Sequence, residues 1–223
     1  MSLERWDMNK NPNIGLYILV TNKYILIPEN IHNGLKKALS RVLRAPLQEN
    51  ITIGGTNLLA VLAVGNDSGI VVSSLASEEE IATLNKNEFI PRVARTREKY
   101  FALGNVVLAN DHTAILSPIV NKETAFLIED TLDVEIFQTR VAGSELCGSI
   151  AYTTNKGTLL SPLTKEDELY KIREWMQVDK ANIGTINRGN QFISSGLIAN
   201  SNGGICGRET TGIELVRITK TLF

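Results

Sequence analysis

Apolar positions along the chain fall into short runs that come in pairs, each pair joined by a small residue, an Asn and a few polar positions. Residues 62–72 read LAVGNDSGIVV, and a similar LANDHTAILSP begins at Leu108. Each predicts a β-hairpin, two apolar strands around a turn whose Asn tolerates the left-handed conformation. Anchoring on the turn Asn gives Asn22, Asn66, Asn110, Asn155 and Asn200, at intervals of 44, 44, 45 and 45 residues. The residue before each anchor is small (Thr21, Gly65, Ala109, Thr154, Ala199), and the fifth after it is aliphatic (Ile27, Val71, Ile115, Leu160, Ile205).

Between the hairpins the period changes from two to that of a helix. NIHNGLKKALSRVLR places Leu35, Ala38, Leu39, Val42 and Leu43 on one face. SEEEIATL opens with Ser77 and Glu80, and TKEDELYKI with Thr164 and Asp167, both at capping-box spacing. NKETAFLIEDTL carries Ala125, Leu127, Ile128 and Leu132 at apolar positions. β-rich stretches follow: ITIGG, FIPRVART, VEIFQTRV and NIGTINRG. After GGICGRETTG the pattern predicts no helix, only the strand-like IELVRITKTLF, and LERWDM near the N-terminus is an apolar stretch outside the repeats.

The chain therefore reads as five hairpin–helix–strand units of about 45 residues, spanning 14–55, 56–99, 100–143, 144–189 and 190–223. One such unit cannot bury its apolar face alone, so neighbours must supply the core. Closure into a ring protects the strand edges and needs no capping repeats. The expected fold is α/β (α+β), a five-bladed β/α propeller with pseudo-fivefold symmetry in one domain, residues 1–13 closing the last blade. The Trp-Asp signature and four strands per blade of a WD40 propeller are missing.

NIGLYILVTNKY, VLAVGNDSGIVV, FALGNVVLANDHTAIL and GTINRGNQFISSGLIANSNGGICGRETTGIEL resemble successive repeats of the translation initiation factor 6 family, ribosome anti-association factors of archaea and eukaryotes. The resemblance runs from about Asn13 onward and implies the pentein fold, in agreement with the repeat count. Eukaryotic members carry a polar C-terminal tail, whereas this chain stops at Phe223, which resembles the archaeal form. The resemblance implies a non-catalytic protein, monomeric and cytoplasmic, that docks on the intersubunit face of the large ribosomal subunit. Its partner there would be a ribosomal protein near the sarcin–ricin loop, with minor rRNA contact, and docking would block joining of the small subunit. A role in subunit maturation is also implied.

Counting back five from each anchor names Tyr17, Val61, Asn105, Ile150 and Ser195, positions expected to ring the axis where the first strands begin. Their variety suggests a rim that faces something asymmetric, and the resemblance puts Asn105, of the LGN segment, on the ribosome-facing side.

A net charge of −1 argues against a generally basic nucleic-acid coat, but charge is uneven. Arg92, Arg95, Arg97 and Lys99 close the second repeat with Glu98 as the one acid among them, a candidate sector facing rRNA phosphates. Lys36, Lys37, Arg41 and Arg44 make the first helix basic. A hydrophobic content of 43% suits a folded domain, and no run is long enough to span a membrane. Cys147 and Cys206 lie near corresponding places in neighbouring repeats without metal spacing and are expected to be free in a reducing compartment. Penteins also include guanidine-modifying hydrolases and transferases that attack with a Cys, and GGICGRE around Cys206 superficially resembles that setting. His112 or His32 would then be the base. Neither is surrounded in sequence by the acidic pairs that a guanidinium pocket requires. No phosphate loop, zinc set or other catalytic motif is present, so no cofactor, metal or small-molecule substrate is expected.

Overall fold

The computed structural model describes residues 2–99 and 102–223. Tyr100 and Phe101, where the third repeat and its FALGNVV segment begin, lie outside the described residues, as does Met1.

In chain order, β1 (Leu3–Trp6) precedes the first repeat, which is a 3-10 turn (Ile14–Leu16), β2 (Leu19–Val20), β3 (Ile25–Leu26), α1 (Asn33–Leu43) and β4 (Leu47–Gln48). The second holds α2 (Leu59–Leu62), β5 (Ala63–Asn66), β6 (Gly69–Val72), α3 (Glu78–Asn85) and β7 (Val93–Arg95). The third holds α4 (Leu103–Val106), β8 (Val107–Ala109), β9 (Thr113–Leu116), α5 (Lys122–Leu132) and β10 (Glu135–Gln138). The fourth holds β11 (Ala151–Thr153), β12 (Gly157–Leu160), α6 (Glu166–Trp175) and β13 (Lys180–Ile183). The fifth holds a 3-10 turn (Ile193–Gly196), β14 (Leu197–Asn200), β15 (Gly203–Gly207) and α7 (Gly212–Leu222).

These strands form five three-stranded sheets, each an antiparallel hairpin whose second strand carries a parallel outer strand. The first strands of the hairpins lie side by side around an axis: β14 against β2, β2 against β5, β5 against β8, β8 against β11. β11 meets the turn that leads into β14, which completes the five-bladed ring. Three long helices cover the sheet of the preceding blade, α5 on β6, α7 on β12 and β13, and α1 on β15, while α6 lies against β12 and β13 of its own blade and stacks Trp175 on Phe137 of β10. All five apolar positions of α1 named above are buried. At roughly 1.5–3 kcal/mol for each large side chain, this burial outweighs the weak propensity of an 11-residue helix.

The C-terminal segment differs from the sequence expectation. Residues 212–222 form a helix, opened by a capping box in which Thr211 and Glu214 exchange hydrogen bonds. The run of Ile213, Val216, Ile218, Thr219 and Thr221 has strand propensity, but the buried positions are Glu214, Ile218, Thr221 and Leu222, one face of a helix. A buried Glu hid that face. The third strand of the last sheet comes instead from β1, paired in parallel with β15 from Leu3↔Gly204 to Trp6↔Gly207.

Two smaller expectations also change. The capping box of α3 forms between Ser77 and Glu80, whereas α6 is capped at Lys165 without a side-chain bond, and the Thr164 hydroxyl is buried with no partner. The outer strand of the first blade is β4, ahead of ITIGG, which carries the Ile53–Thr56 bridge of a tight turn.

The turn anchors are shifted in two blades. Asn66 Nδ2 donates to Leu132 O at 2.8 Å and Asn110 O at 3.1 Å, while its Oδ1 accepts from Ser68 N at 2.9 Å. Asn110 repeats this toward Met176 O at 2.8 Å, and Asn200 toward Leu43 O at 2.8 Å and Thr21 O at 2.9 Å. In blades 1 and 4 the equivalent residue is Thr: Thr21 accepts from Lys23 N and Tyr24 N, and Thr154 Oγ1 donates to Leu222 O at 2.9 Å. The structural anchors are thus Thr21, Asn66, Asn110, Thr154 and Asn200. Asn22 and Asn155 belong one position later, with Asp67, Asp111 and Ser201, in a second ring nearer the axis. There four of the five backbone N–H groups donate to the next blade: Ser201 to Asn22 Oδ1, Asn22 to Asp67 Oδ1, Asp67 to Asp111 Oδ1, Asp111 to Asn155 Oδ1.

Candidate docking face

A propeller has two ends, and here they differ in chemistry. One carries the hairpin turns and the last carbonyls of α1, α5, α6 and α7, bonded to the anchors. It is polar, with Lys23 donating to Asp67 O and Lys156 to Ser201 O. Burial and the neighbouring Asp111 charge raise the Asp67 carboxyl above its ordinary range, despite hydrogen bonds from Asn22 and Lys23 N–H.

The other end carries the short helical turns that precede the first strands. Residue 15, 60, 104, 148 or 194 of each blade packs there backbone to backbone against its neighbour. A Cβ on Gly104 would lie 1.8 Å from Ala60 O, and one on Gly148 2.1 Å from Gly104 O. Only small residues fit, so the turns interlock, and Gly148 N–H donates to Asn105 O at 3.0 Å. The next residue of each turn forms the ring: Leu16, Val61, Asn105, Ser149 and Ser195. The one-residue shift of the anchors carries through, so Tyr17 and Ile150 leave the ring and Leu16 and Ser149 enter it. Ile150 is 4% exposed and belongs to the core of blade 4. Tyr17 packs beside the first core, its hydroxyl accepting from Asn11 Nδ2 at 3.0 Å. Ser195 Oγ donates back to Phe192 O at 2.6 Å. Val61 and Asn105 line the mouth of an axial cavity of about 130 Å³ together with Leu16. The Asn105 side-chain amide has no hydrogen-bond partner among the described residues.

Around this ring stand tight turns with left-handed residues, Asn9 and Lys10, Gly54 and Gly55, Ala142 and Gly143, Asn187 to Gly189. Carboxylates at helix starts hold three of them. Glu80 accepts from Gly54 and Gly55 N–H, Glu168 from Ala142 N–H, and Glu214 from Arg188 and Gly189 N–H. Burial alone would raise the pKa of Glu80 and Glu214, but hydrogen bonds outweigh it, from Thr52 and the turn and cap N–H groups to Glu80 and from the Thr211 and Gly189 N–H and the Thr185 and Thr211 hydroxyls to Glu214, and pull both below the ordinary range. Beside the rigid turns, Leu75, Leu146, Leu163 and Phe192 are exposed on this end. Their pattern is invisible to hydrophobic periodicity, because all four lie in loops.

The candidate basic sector is divided. Arg97 and Lys99 are exposed near this end. Arg95 is engaged by Glu78 at 2.5 Å and Ala76 O at 2.9 Å. Arg92 donates to Asp130 O, at the C-terminus of α5 on the opposite end. Arg188, in the NRGN turn whose arginine could serve at an interface, is exposed at this end, as are Lys10 and Arg208, which sequence did not single out, Arg208 lying 3.5 Å from Asp7.

The cysteines occupy unlike places, Cys147 beside a short turn and Cys206 inside β15, and both are buried and free. Burial pushes each thiol up to about 11, so neither supplies a thiolate near neutral pH. Cys206 Sγ faces Glu4 O, while His32 caps α1 and His112 sits exposed in a hairpin turn. No three His, Cys, Asp or Glu side chains converge as a metal set among the described residues. No helix among them is long and apolar enough to cross a membrane.

The model of the eIF-6 family matches residues 3–221. The chain is 36% identical to translation initiation factor 6 of Saccharolobus islandicus over 223 residues, covering 100% of this chain and 99% of that one. Against the Pyrococcus abyssi factor it is 32% identical over 230 residues, covering 100% and 99%. Against eukaryotic translation initiation factor 6 of Trypanosoma cruzi it is 32% identical, covering 97% and 88%. Among solved structures, a dimethylarginine dimethylaminohydrolase aligns with a TM-score of 0.48 and 12% identity over 82% of this chain and 69% of that one. An inosamine-phosphate amidinotransferase from Streptomyces griseus reaches 0.44 and 10% over 80% and 62%. Likeness at this level says nothing about activity.

Proposed function

The chain belongs to the eIF-6 family of translation factors, and on that premise we propose that it binds the intersubunit face of the large ribosomal subunit and prevents the small subunit from joining. The observation that carries the choice of face is the asymmetry of the two ends. One is closed by satisfied anchors and helix-end carbonyls. The other presents exposed Leu75, Leu146, Leu163 and Phe192 around the free amide of Asn105. Apolar side chains beside turns fixed by carboxylates suit a protein partner, because little loop entropy remains to be lost on docking. Arg97, Lys99, Lys10 and Arg188 at the same end suit flanking rRNA phosphates.

The action needs no chemistry. A rigid ring bound to a surface that the small subunit must reach shifts the joining equilibrium by mass action. The reading places the protein in the cytoplasm, where subunits meet, acting as a monomer in subunit maturation or translation. The test is sedimentation of purified subunits with the protein at moderate magnesium. Joined ribosomes should decrease, with saturation at about one protein per large subunit, as a single docking site requires. Equal co-sedimentation with small subunits, or unchanged joining, would sink the proposal.

A further inference from the structure

The outer wall between blades 4 and 5 carries a feature that the ribosomal reading does not use. β13 is the outer edge of its sheet. Its Lys180 and Asn182 side chains face α7, donating to Phe223 O at 3.0 Å and Thr221 Oγ1 at 3.2 Å. Gly184 N–H donates inward to Leu160 O, so by strand alternation Ala181 and Ile183 turn their N–H and C=O away from β12. Of these outward groups only Ile183 O has a partner among the described residues, Arg217 Nη1 at 3.1 Å.

Beside that edge α7 presents Ile213, Val216, Arg217 and Lys220, which with Asn182 line an open groove of about 780 Å³. Ile213 is 79% and Val216 55% exposed. Counted from each helix N-cap, the same two places hold Gly34 and Lys37, Glu79 and Ala82, Glu123 and Phe126, and Asp167 and Tyr170. Two aliphatic residues stand there in α7 alone. Arg217 and Lys220 have no carboxylate partner among the described residues, and the nearby acid Asp179 lines a different cleft with Tyr170 and Arg173. Under a two-fold axis a second copy would set these cations against themselves, so the groove suits an acidic occupant better than itself.

We propose that this groove binds an extended segment of a partner protein, added as a strand to β13. The segment would place an aliphatic side chain on Ile213 and Val216 and, two residues along on the same face, a carboxylate before Arg217 and Lys220. The open edge supplies main-chain bonds, and the basic helix face selects the sequence.

The test uses the full chain and a fluorescein-labelled octapeptide with Thr on one face and alternating Leu and Glu on the other, read by polarisation. Binding should saturate. Exchanging Glu for Lys in the probe, and Val216→Glu or Lys220→Glu in the protein, should each weaken it about tenfold or more. Both altered side chains are exposed, so melting temperatures should hold. Amide exchange at Ala181 should slow with the Glu probe, and Asn105→Arg on the docking end should bind it like the parent. Absence of saturable binding, equal binding of both probes, or indifference to Val216→Glu overturns the proposal. So does a self-association that Val216→Glu abolishes, since the occupant is then a second copy.

Discussion

Replacing Asn110 by Ala tests the shifted register of the turn anchors. The side chain is 5% exposed and makes three bonds: Nδ2 to Met176 O at 2.8 Å, and Oδ1 from His112 N and Thr113 N, both at 2.9 Å. Water can replace the bond to exposed His112, but Thr113 is fully buried, so its N–H loses its partner. At about 1 kcal/mol net per bond, with 1–3 kcal/mol for a buried group left unpaired, the expected cost is roughly 3 kcal/mol. For a chain of this length that lowers the melting temperature by roughly 6–12 °C. Asn110→Thr should recover a large part, because Thr21 and Thr154 fill the same place with one hydroxyl. Asn155→Ala should cost only about 1 kcal/mol, since its bonds to Asp111 lie in the part-buried inner ring where water can substitute. Thermal melts by circular dichroism, with urea titrations, compare all three. An Asn155→Ala loss equal to or larger than that of Asn110→Ala refutes the register.

At the docking end, Asn105→Arg should weaken large-subunit binding by roughly 2 kcal/mol, the scale of a central hot spot, with its melting curve unchanged; Lys37→Glu on the outer wall should bind normally. Normal binding by Asn105→Arg together with loss by Lys37→Glu would move the docking face to the wall. Both thiols, held near 11, should stay silent to a disulfide reagent at pH 8 until the protein unfolds, and Cys206→Ala with His112→Ala should leave ribosome binding intact. Fast labelling of native Cys206, or thiol-dependent turnover of arginine or methylarginines, would revive a catalytic role. The Glu214 carboxyl has a folded pKa below its ordinary 4.5, so its contribution is present above that value and lost as pH falls through the folded pKa. Glu214→Gln should therefore be less stable than the parent at pH 7, and the difference should vanish in acid; a gap that persists at pH 2 contradicts this.

The chain alone determined whatever depends on contacts within a few residues. The repeat period, the hairpins and the apolar face of α1 follow from local pattern, as does the Ser77–Glu80 cap, which needs only its own turn. The family segments around Asn105 were legible for the same reason. The register of the turns was not. In Thr21-Asn22 and Thr154-Asn155 both neighbours can bond the turn, and partners in other blades make the choice: Leu222 O takes the Thr154 hydroxyl, and the Asp111 and Ser201 amides donate to Asn155 and Asn22. That one-residue difference removed Tyr17 and Ile150 from the rim, while Arg92 and Arg95 part because they stand at the two ends of β7, one at the end of α5 and the other at the start of α3. α7 opens with a local cap like that of α3, Thr211 with Glu214, but its β-branched run masked it, and the Glu on its buried face is held as well by Thr185 and the amides of a turn 25 residues earlier. The exposed Leu and Phe side chains of the docking end lie in loops without periodicity, and only closure of the ring sets them on one surface. Tertiary structure decided these points because each rests on a hydrogen bond or a packing contact between blades, where the partner is distant in sequence and no local propensity records it.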